Sequence, residues 1–481
     1  MAGSTLTGIT TASLKPRPWR ARRRTQAVVL GLMLADFLLG LNHLGSKSLW
    51  LDEAVAISHA TSGLHHLWLT VSGQDPNMGL YYVLLDGWIR AVGTGAGAVR
   101  LLSVLAATAT VPLVVALGAR LFGELAGLLA GLLFVLNAFL LQYAQTARGY
   151  TLVAGLVVAS CYCFVVELEQ PSRASAVGLV VTSALAIYAH YFAAFVLLVE
   201  VGTVLALKRR EALTRRWLVI AAAVLVACVP EARAASAAGT TGISWIPTPS
   251  AAAPVNFLST LSGGVLLAIG LGGLACYAGF LALRNAPGTA DTRWQTGFVA
   301  ALLLVPILVS FALSFITPIF YPRYLIVTLP ALVLIAAAGL VRLPSRGLAA
   351  AVALAIAGLS AHALADWYAQ PPREDNRGVA KYLVQHTQPG DGYITFPRYA
   401  ATPLLYYFAR ISARGPERVT IGALREGVVK PRRIWLVLRE FDVHRELNLA
   451  RSVERGISLH YTQVRARRFS GLQMVLYVKR R

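Results

Sequence analysis

Long apolar runs separated by short polar segments fill residues 27–365 of this chain. A bilayer core about 30 Å thick is crossed by a helix of roughly twenty apolar residues, and backbone groups in hydrocarbon must be hydrogen-bonded within the protein. Each run therefore predicts one transmembrane helix, and together they predict an all-α, multi-pass membrane domain. The runs, eleven in this interpretation, centre near residues 34, 108, 132, 157, 183, 200, 224, 270, 306, 332 and 355.

After residue 366 the sequence becomes charged and its periodicity changes. Arg373–His386 has the apolar spacing of an amphipathic helix, and Pro389–Gly392 is a turn sequence. Short runs with strand character follow at Tyr393–Phe396, Arg433–Leu438 and Leu472–Val478. These features predict a small α/β domain at 366–481, following the membrane domain at 27–365 and a basic tail at 1–26.

The chain carries a net charge of +22, with charged residues at only 14% and hydrophobic residues at 56%. The basic residues lie in short tufts between apolar runs and in the C-terminal domain, so a membrane surface explains them better than nucleic acid does. An inside N-terminus places most short-loop Lys and Arg on the cytoplasmic side, as the positive-inside rule requires. This sorting places a first outer loop at 43–97 and the C-terminal domain on the outer side. The excess of arginine over lysine indicates a bacterium, so the membrane is expected to be a bacterial plasma membrane. The expected inside residues are Arg120, Arg173, the cluster 208–216, Arg284, Arg293, Arg342 and Arg346.

Metal binding is not predicted by the cysteine and histidine positions. All four cysteines lie within or beside apolar runs, which favours packing. Three histidines cluster in the first outer loop, but their spacing is not that of a zinc site. The histidines are His59, His65 and His66. We therefore expect no metal and no other cofactor, and a divalent cation is the alternative.

The first outer loop carries the acidic pair Asp52-Glu53 just beyond the first membrane helix. Carboxylates at a membrane boundary cost desolvation energy unless they are paired or used. Asp52 could act as a general base that accepts a proton from an attacking hydroxyl. The alternative is that the pair only caps the helix that follows. The charges alone favour the capping interpretation.

An ordered set of motifs over residues 45–330 resembles the GT-C membrane glycosyltransferases. The closer resemblance is to the branch that contains protein O-mannosyltransferases and bacterial aminoarabinose transferases. The matching segments are Trp50-x-Asp52-Glu53-Ala54, Asn77-Met-Gly-Leu-Tyr-Tyr82, Arg100, Phe122-Gly123, Gln145-x-x-Arg148-x-Tyr150, His190-Tyr191, Trp245-x-Pro247 and Pro322-Arg-Tyr-Leu325.

The resemblance implies an inverting enzyme that moves a sugar from a polyprenyl-phosphate carrier to an acceptor hydroxyl at the outer face. It implies Asp52 as the catalytic base with Glu53 beside it, and a second acidic residue of the loop, for which Asp75 is the candidate. Gly79 stands where the family often has proline, which weakens the assignment of Asp75. The sugar is expected to be mannose or a pentose, and the acceptor to be a lipid, a glycan or a protein.

Several outer-side residues suit the phosphate or the sugar of such a donor. Arg148 and Arg323 offer planar guanidinium groups for phosphate oxygens, although interfacial arginines also reach toward lipid headgroups. His190 could hydrogen-bond the donor or simply close a membrane turn. Tyr82 and Tyr150, the latter within the Arg148 motif, complete the candidates. The loop that carries Trp245 could order over the donor.

Two other classes of function fit a polytopic membrane protein. A transporter or lipid-sugar flippase typically shows repeated halves and helices broken near mid-membrane, and the sequence contains no such repeat. A glycan ligase or polymerase would keep an outer-face site but is expected to carry a different motif set. The C-terminal domain either helps to bind the acceptor or only stabilises the membrane domain.

Overall fold

The computed structural model describes residues 23–207, 214–284, 290–411 and 416–480. The chain divides into two compact units. The membrane unit is the chain up to Asn42 together with Gly63–Ala91 and Val99–Ala369, and the C-terminal unit is His43–Ser62, Val92–Ala98 and Gln370–Arg481. Most of the predicted basic tail at 1–26 and of the basic cluster at 208–216 lies outside the described residues.

Helices make up most of the first 369 residues. They are α1 (Arg23–Leu41), α2 (Leu51–Thr61), α3 (Leu64–Leu69), α4 (Gly79–Val92), α5 (Ala96–Phe122), α6 (Glu124–Val135), α7 (Ala138–Ala144), α8 (Tyr150–Glu169), α9 (Arg173–Ala189), α10 (Ala193–Leu207), α11 (Arg215–Ala238), α12 (Ala253–Ser262), α13 (Val265–Arg284), α14 (Ala290–Leu313), α15 (Leu329–Leu340) and α16 (Arg346–Ala369). Two shorter segments have other helix types: a π-helical turn at Thr70–Gln74 and a 3₁₀ helix at Pro322–Thr328.

Every predicted apolar run coincides with a helix or a helix pair, which confirms the predicted fold class. Within the described ranges, eight helices are long and apolar enough to cross a membrane. The bent pair α6–α7, with 60° between its halves, makes a ninth span if counted as one. The runs near residues 183 and 200 form the shorter helices α9 and α10, of 17 and 15 residues. The chain is a multi-pass membrane protein.

Small residues let the membrane helices approach closely. A Cβ on Gly127 of α6 would lie 2.4 Å from the Val115 carbonyl oxygen of α5. A Cβ on Gly339 of α15 would lie 2.1 Å from the carbonyl oxygen of Leu274 in α13. Lipid is as apolar as a leucine side chain, so membrane helices associate through such tight van der Waals contacts. Each of the two glycines is therefore required by a backbone contact.

The C-terminal unit contains a five-stranded mixed sheet with the order β2-β1-β3-β5-β4. β1 is parallel to β2 and β3, whereas β5 is antiparallel to β3 and β4. The strands are β1 (Gly392–Phe396), β2 (Glu417–Arg418), β3 (Arg433–Arg439), β4 (Tyr461–Phe469) and β5 (Leu472–Lys479). The helices are α17 (Asn376–His386), α18 (Ala401–Ile411), α19 (Ile421–Arg425), α20 (Glu440–Arg445) and α21 (Leu447–Ser458).

The three predicted strands correspond to β1, β3 and β5. The predicted helix at 373–386 begins later, at Asn376, because Asp375 accepts a hydrogen bond from the Gly378 amide (2.9 Å) and caps it. The edge strand β4 was not predicted, since its residues from Thr462 to Arg468 are exposed on both faces and lack an apolar alternation. The sequence also did not predict α18, which packs on α2.

Candidate active site

The predicted donor-binding arginines and histidine lie at helix ends in the membrane unit. Arg148 precedes α8, and His190 follows α9, which packs antiparallel to α8. These two residues therefore lie at the same end of the helical hairpin. Arg323 belongs to the 3₁₀ helix Pro322–Thr328, which also packs on α8. The connections between helices thus bring together side chains that are far apart in the sequence.

Tyr82 connects Arg148 to Asp75. Arg148 Nη1 donates a hydrogen bond to the Tyr82 hydroxyl (2.9 Å), which donates to Asp75 Oδ2 (2.9 Å). Tyr82 is fully buried, and this burial raises its pKa well above the ordinary value, although the charge of Arg148 opposes the rise. The hydroxyl therefore stays protonated and orients both charged groups. Its backbone position is fixed by α4.

His190 is a buried neutral histidine. It lies between α9 and α10, and burial, reinforced by the positive charges of Arg148 and Arg323, lowers its pKa to about 3. The Phe192 amide donates to His190 Nδ1 (3.2 Å), so the ring proton is assigned to Nε2. That Nε2 atom is buried and has no hydrogen-bond partner among the described residues. A buried N–H of this kind costs free energy unless another molecule accepts its hydrogen bond.

Arg323 is buried among aromatic rings. Its guanidinium carbon lies 4.9 Å from the centre of the Tyr321 ring, 5.1 Å from Trp245 and 5.5 Å from Tyr324. Tyr324 also contacts the His190 ring, with 5.0 Å between ring centres. Such rings hold a cation in a dry environment without neutralising it. The arrangement places a positive charge among aromatic rings, close to the His190 ring that Tyr324 contacts.

Tyr150 packs beside this cluster. Its side chain is fully buried at the start of α8, with its ring 6.1 Å from that of His190 and 4.9 Å from that of Tyr143. It contributes apolar surface around the histidine. Tyr324, which the sequence interpretation did not single out within its motif, links the histidine to Arg323. We define the donor cluster, named for its predicted role, as Asp75, Tyr82, Arg148, Tyr150, His190, Arg323 and Tyr324.

The predicted catalytic pair lies in the C-terminal unit, at the N-terminus of α2. Asp52 is half-buried at the second position of the helix. Glu53 is fully buried, and its Oε2 accepts a hydrogen bond from the Trp50 amide (3.3 Å). Glu53 thus takes part in the cap of α2. The base role itself stays a prediction.

No group of three or more His, Cys, Asp or Glu side chains able to hold a metal occurs among the described residues. The absence of a metal or cofactor stays a prediction.

Three residues that contact the chain around α2 were not predicted from the sequence. They are Glu374, Asn376 and Tyr407. Of the three, Glu374 could have been noticed, because it is an acidic residue just before the amphipathic helix α17.

Comparisons with known proteins identify the fold. No protein-family model matches the sequence, and no curated protein sequence matches it significantly. Among solved structures, ArnT from Cupriavidus metallidurans bound to undecaprenyl phosphate is similar with a TM-score of 0.60 and 13% identity, covering 95% of this chain and 98% of that one. The apo form of ArnT gives a TM-score of 0.62 at 14% identity, covering 94% and 98%.

Two further structures share the architecture. The archaeal oligosaccharyltransferase AglB from Archaeoglobus fulgidus, in complex with an inhibitory peptide and a dolichol-phosphate, has a TM-score of 0.55 at 11% identity, covering 94% of this chain and 74% of that one. The mycobacterial arabinofuranosyltransferase AftD has a TM-score of 0.51 at 15% identity, covering 95% and 42%. Because all of these proteins are GT-C glycosyltransferases, this chain has the GT-C fold.

Proposed function

We propose that this protein is a membrane glycosyltransferase that moves a sugar from a polyprenyl-phosphate donor to an acceptor hydroxyl. The proposal rests on the buried His190 Nε2–H, which has no hydrogen-bond partner among the described residues. The positive charges of Arg148 and Arg323 help to lower the pKa of the same histidine. Two cations and a buried N–H donor suit the oxygens of a phosphate monoester or diester. The structures of ArnT with undecaprenyl phosphate and of AglB with a dolichol-phosphate support a lipid-phosphate donor.

The proposed reaction is a single displacement. The acceptor oxygen attacks the anomeric carbon, and the bond between that carbon and the phosphate oxygen breaks, so that polyprenyl phosphate leaves with the electron pair. The configuration at the anomeric carbon is inverted. Asp52 takes the proton from the acceptor hydroxyl as general base. Arg148 and Arg323 stabilise the negative charge that develops on the leaving phosphate.

The remaining details of the proposal come from the sequence. The donor sugar is mannose or a pentose, and the acceptor is a lipid, a glycan or a protein. The loop charges favour a cytoplasmic N-terminus and an extracytoplasmic C-terminal domain, and the excess of arginine over lysine favours a bacterial plasma membrane. The reaction then takes place at the outer face and needs no metal. Nucleic acid has no part in it.

A transporter is the alternative, and the bent pair α6–α7 is the feature that favours it, since transporters often bind substrate at broken helices. Asn137 lies at the bend. Its Oδ1 accepts from the Leu140 amide (2.8 Å), and its Nδ2 donates to the Leu261 carbonyl (3.0 Å). The polar side chain at the break is therefore satisfied by protein groups. This arrangement favours a structural bend over a substrate site.

The proposal is tested by the lipid-linked sugars in membranes that contain Asp52→Asn in place of the wild-type protein. We expect one polyprenyl-phosphate sugar to accumulate in the variant membranes, and its mass to identify the donor. The control is Asp86→Asn, which removes a carboxylate that pairs with Arg90 on α4 (2.9 Å). Equal pools in all three membranes, with a changed distribution of a lipid or solute across the bilayer, would support transport instead.

A further inference from the structure

The N-terminal end of α2 is held by side chains from the C-terminal domain. Glu374 Oε2 accepts a hydrogen bond from the amide of Leu51 (3.1 Å), which is the first residue of the helix. Asn376 Nδ2 donates to the Leu49 carbonyl (3.1 Å), and the Tyr407 hydroxyl accepts from the Leu49 amide (2.8 Å). Three hydrogen bonds, all with side chains more than 300 positions away, thus hold the backbone immediately before Asp52.

Glu374 is itself held by a buried arginine. Arg439 Nε donates to Glu374 Oε1 (2.7 Å), and Arg439 Nη1 donates to Asp442 Oδ2 (2.8 Å). The Tyr399 hydroxyl donates to Asp442 Oδ1 (2.8 Å). Arg439 is the last residue of β3, and Tyr399 follows β1, so the network lies at the carboxyl end of these parallel strands. An unbroken series of contacts therefore connects the central sheet to the start of α2.

Only a carboxylate satisfies the surroundings of Glu374. Its described hydrogen-bond partners are the Arg439 guanidinium, the Leu51 amide and the Asn376 side-chain amide, and all of them donate. A glutamine would direct its NH₂ group at a donor whichever way it turned. Burying such an ion pair costs desolvation energy for each charge, and an apolar pair is often at least as stable. Stability alone therefore does not account for the network.

We propose that Glu374 and Arg439 are positioning residues that fix the start of α2 and, with it, the carboxylate of Asp52. The inference rests on the proposed function, because it assigns to the C-terminal domain the role of orienting the catalytic base. Asp52 follows Leu51 directly, so a shift of the Leu51 backbone moves the carboxylate. Misplacing a catalytic group by about 1 Å costs about a hundredfold in rate, and the loss of a residue that orients a functional group costs about 10–100-fold.

The test compares Glu374→Gln with Asp391→Asn, which is a matched control. Asp391 also receives only N–H donors, from Arg433, Trp435 and the Gln388 amide, and Arg433 is the first residue of β3. The control therefore removes an equivalent carboxylate at the opposite end of the same strand. We expect both variants to lower Tm. Only Glu374→Gln should accumulate the donor that Asp52→Asn accumulates, because transfer falls about 10–100-fold.

A second measurement separates positioning from donor binding. The purified variants are titrated with undecaprenyl phosphate, and we expect Kd within about twofold of the wild-type value for both, because neither substitution touches the donor cluster. If Glu374→Gln does not yield folded protein, Arg439→Lys replaces it. A lysine keeps the positive charge, but its point-like ammonium cannot reproduce the two directed bonds of the guanidinium. Partial accumulation of the donor is then expected.

The outcomes distinguish the two proposals. A wild-type donor pool in Glu374→Gln membranes, beside accumulation in Asp52→Asn membranes, would overturn the positioning role and leave the proposed function intact. The positioning role is likewise overturned if Asp391→Asn accumulates as much donor as Glu374→Gln. No accumulation in Asp52→Asn membranes would overturn the proposed function, and the positioning role with it.

Discussion

Replacing Tyr82 by phenylalanine is the sharpest perturbation of the donor cluster. The substitution keeps the buried ring and removes only the hydroxyl that connects Arg148 to Asp75. Both hydrogen bonds involve a charged group, and such bonds contribute about 1.5–3 kcal/mol each. We expect Arg148 to lose its fixed direction, while the packing of α4 is preserved.

The expected effect on transfer follows from these bonds. Losing orientation equivalent to one such bond lowers transition-state stabilisation by about 1.5–3 kcal/mol, or about 10–150-fold in kcat/KM. The assay measures initial rates in proteoliposomes with the lipid-linked sugar identified in Asp52→Asn membranes, at varied donor concentration. The loss should appear in the kcat/KM for the donor, since the hydroxyl orients a group assigned to its phosphate.

Tyr81→Phe is the matched control because it removes a neighbouring buried hydroxyl on α4. The Tyr81 hydroxyl bonds to the Ser103 hydroxyl (3.0 Å), and Ser103 still donates to the Arg148 carbonyl (3.1 Å) without it. We expect a loss of about 1 kcal/mol in stability and little change in transfer. A Tyr82→Phe rate within twofold of wild type, or an equal loss in Tyr81→Phe, would refute the reasoning.

Three further predictions concern separate features. Arg148→Ala should raise KM for the donor more than KM for the acceptor, which steady-state kinetics with each substrate varied would show; equal effects would indicate a structural role. Gly339→Val should lower Tm and the yield of monodisperse protein in detergent, because its Cβ would overlap the Leu274 carbonyl; an unchanged Tm would contradict the close helix contact. Burial raises the pKa of Asp391, but the bonds from Arg433 and other donors outweigh it and hold the pKa below its usual range. The stabilisation that the Asp391 carboxylate gives is thus complete above about pH 4 and is lost as pH falls through the lowered pKa. Asp391→Asn should therefore make Tm fall less steeply in acid. The same fall of Tm in the variant and the wild type would contradict this.

The sequence determined the membrane helices because their cause is local. Hydrocarbon requires each spanning segment to satisfy its own backbone hydrogen bonds, so apolar length alone marks a helix. The same locality explains why β1, β3 and β5 were predicted. It also explains the failure at β4, an edge strand whose residues from Thr462 to Arg468 are exposed on both faces and therefore show no apolar period. Helix ends set by side-chain caps, as at Asp375, were misplaced by a few residues.

The composition of the donor cluster was partly predicted, but its assembly was not. Tyr82 and Arg148 are separated by 66 positions, and only the packing of α4 against the start of α8 brings the hydroxyl to the guanidinium. The motif resemblance named Arg148, His190 and Arg323, but it did not show that the charges of both arginines lower the pKa of the histidine. The neutral tautomer of His190 follows from a backbone contact that no sequence pattern displays.

The sequence by itself determined a polytopic membrane protein with a small α/β domain, and an acidic motif that resembles that of a glycosyltransferase family. The tertiary structure decided which groups belong together. Leu51 and Glu374 are 323 positions apart, and the sequence assigned them to different domains, yet they share a hydrogen bond within one compact unit. Local pattern specifies what must be buried, whereas long-range pairing depends on how the whole chain satisfies its buried polar groups at once.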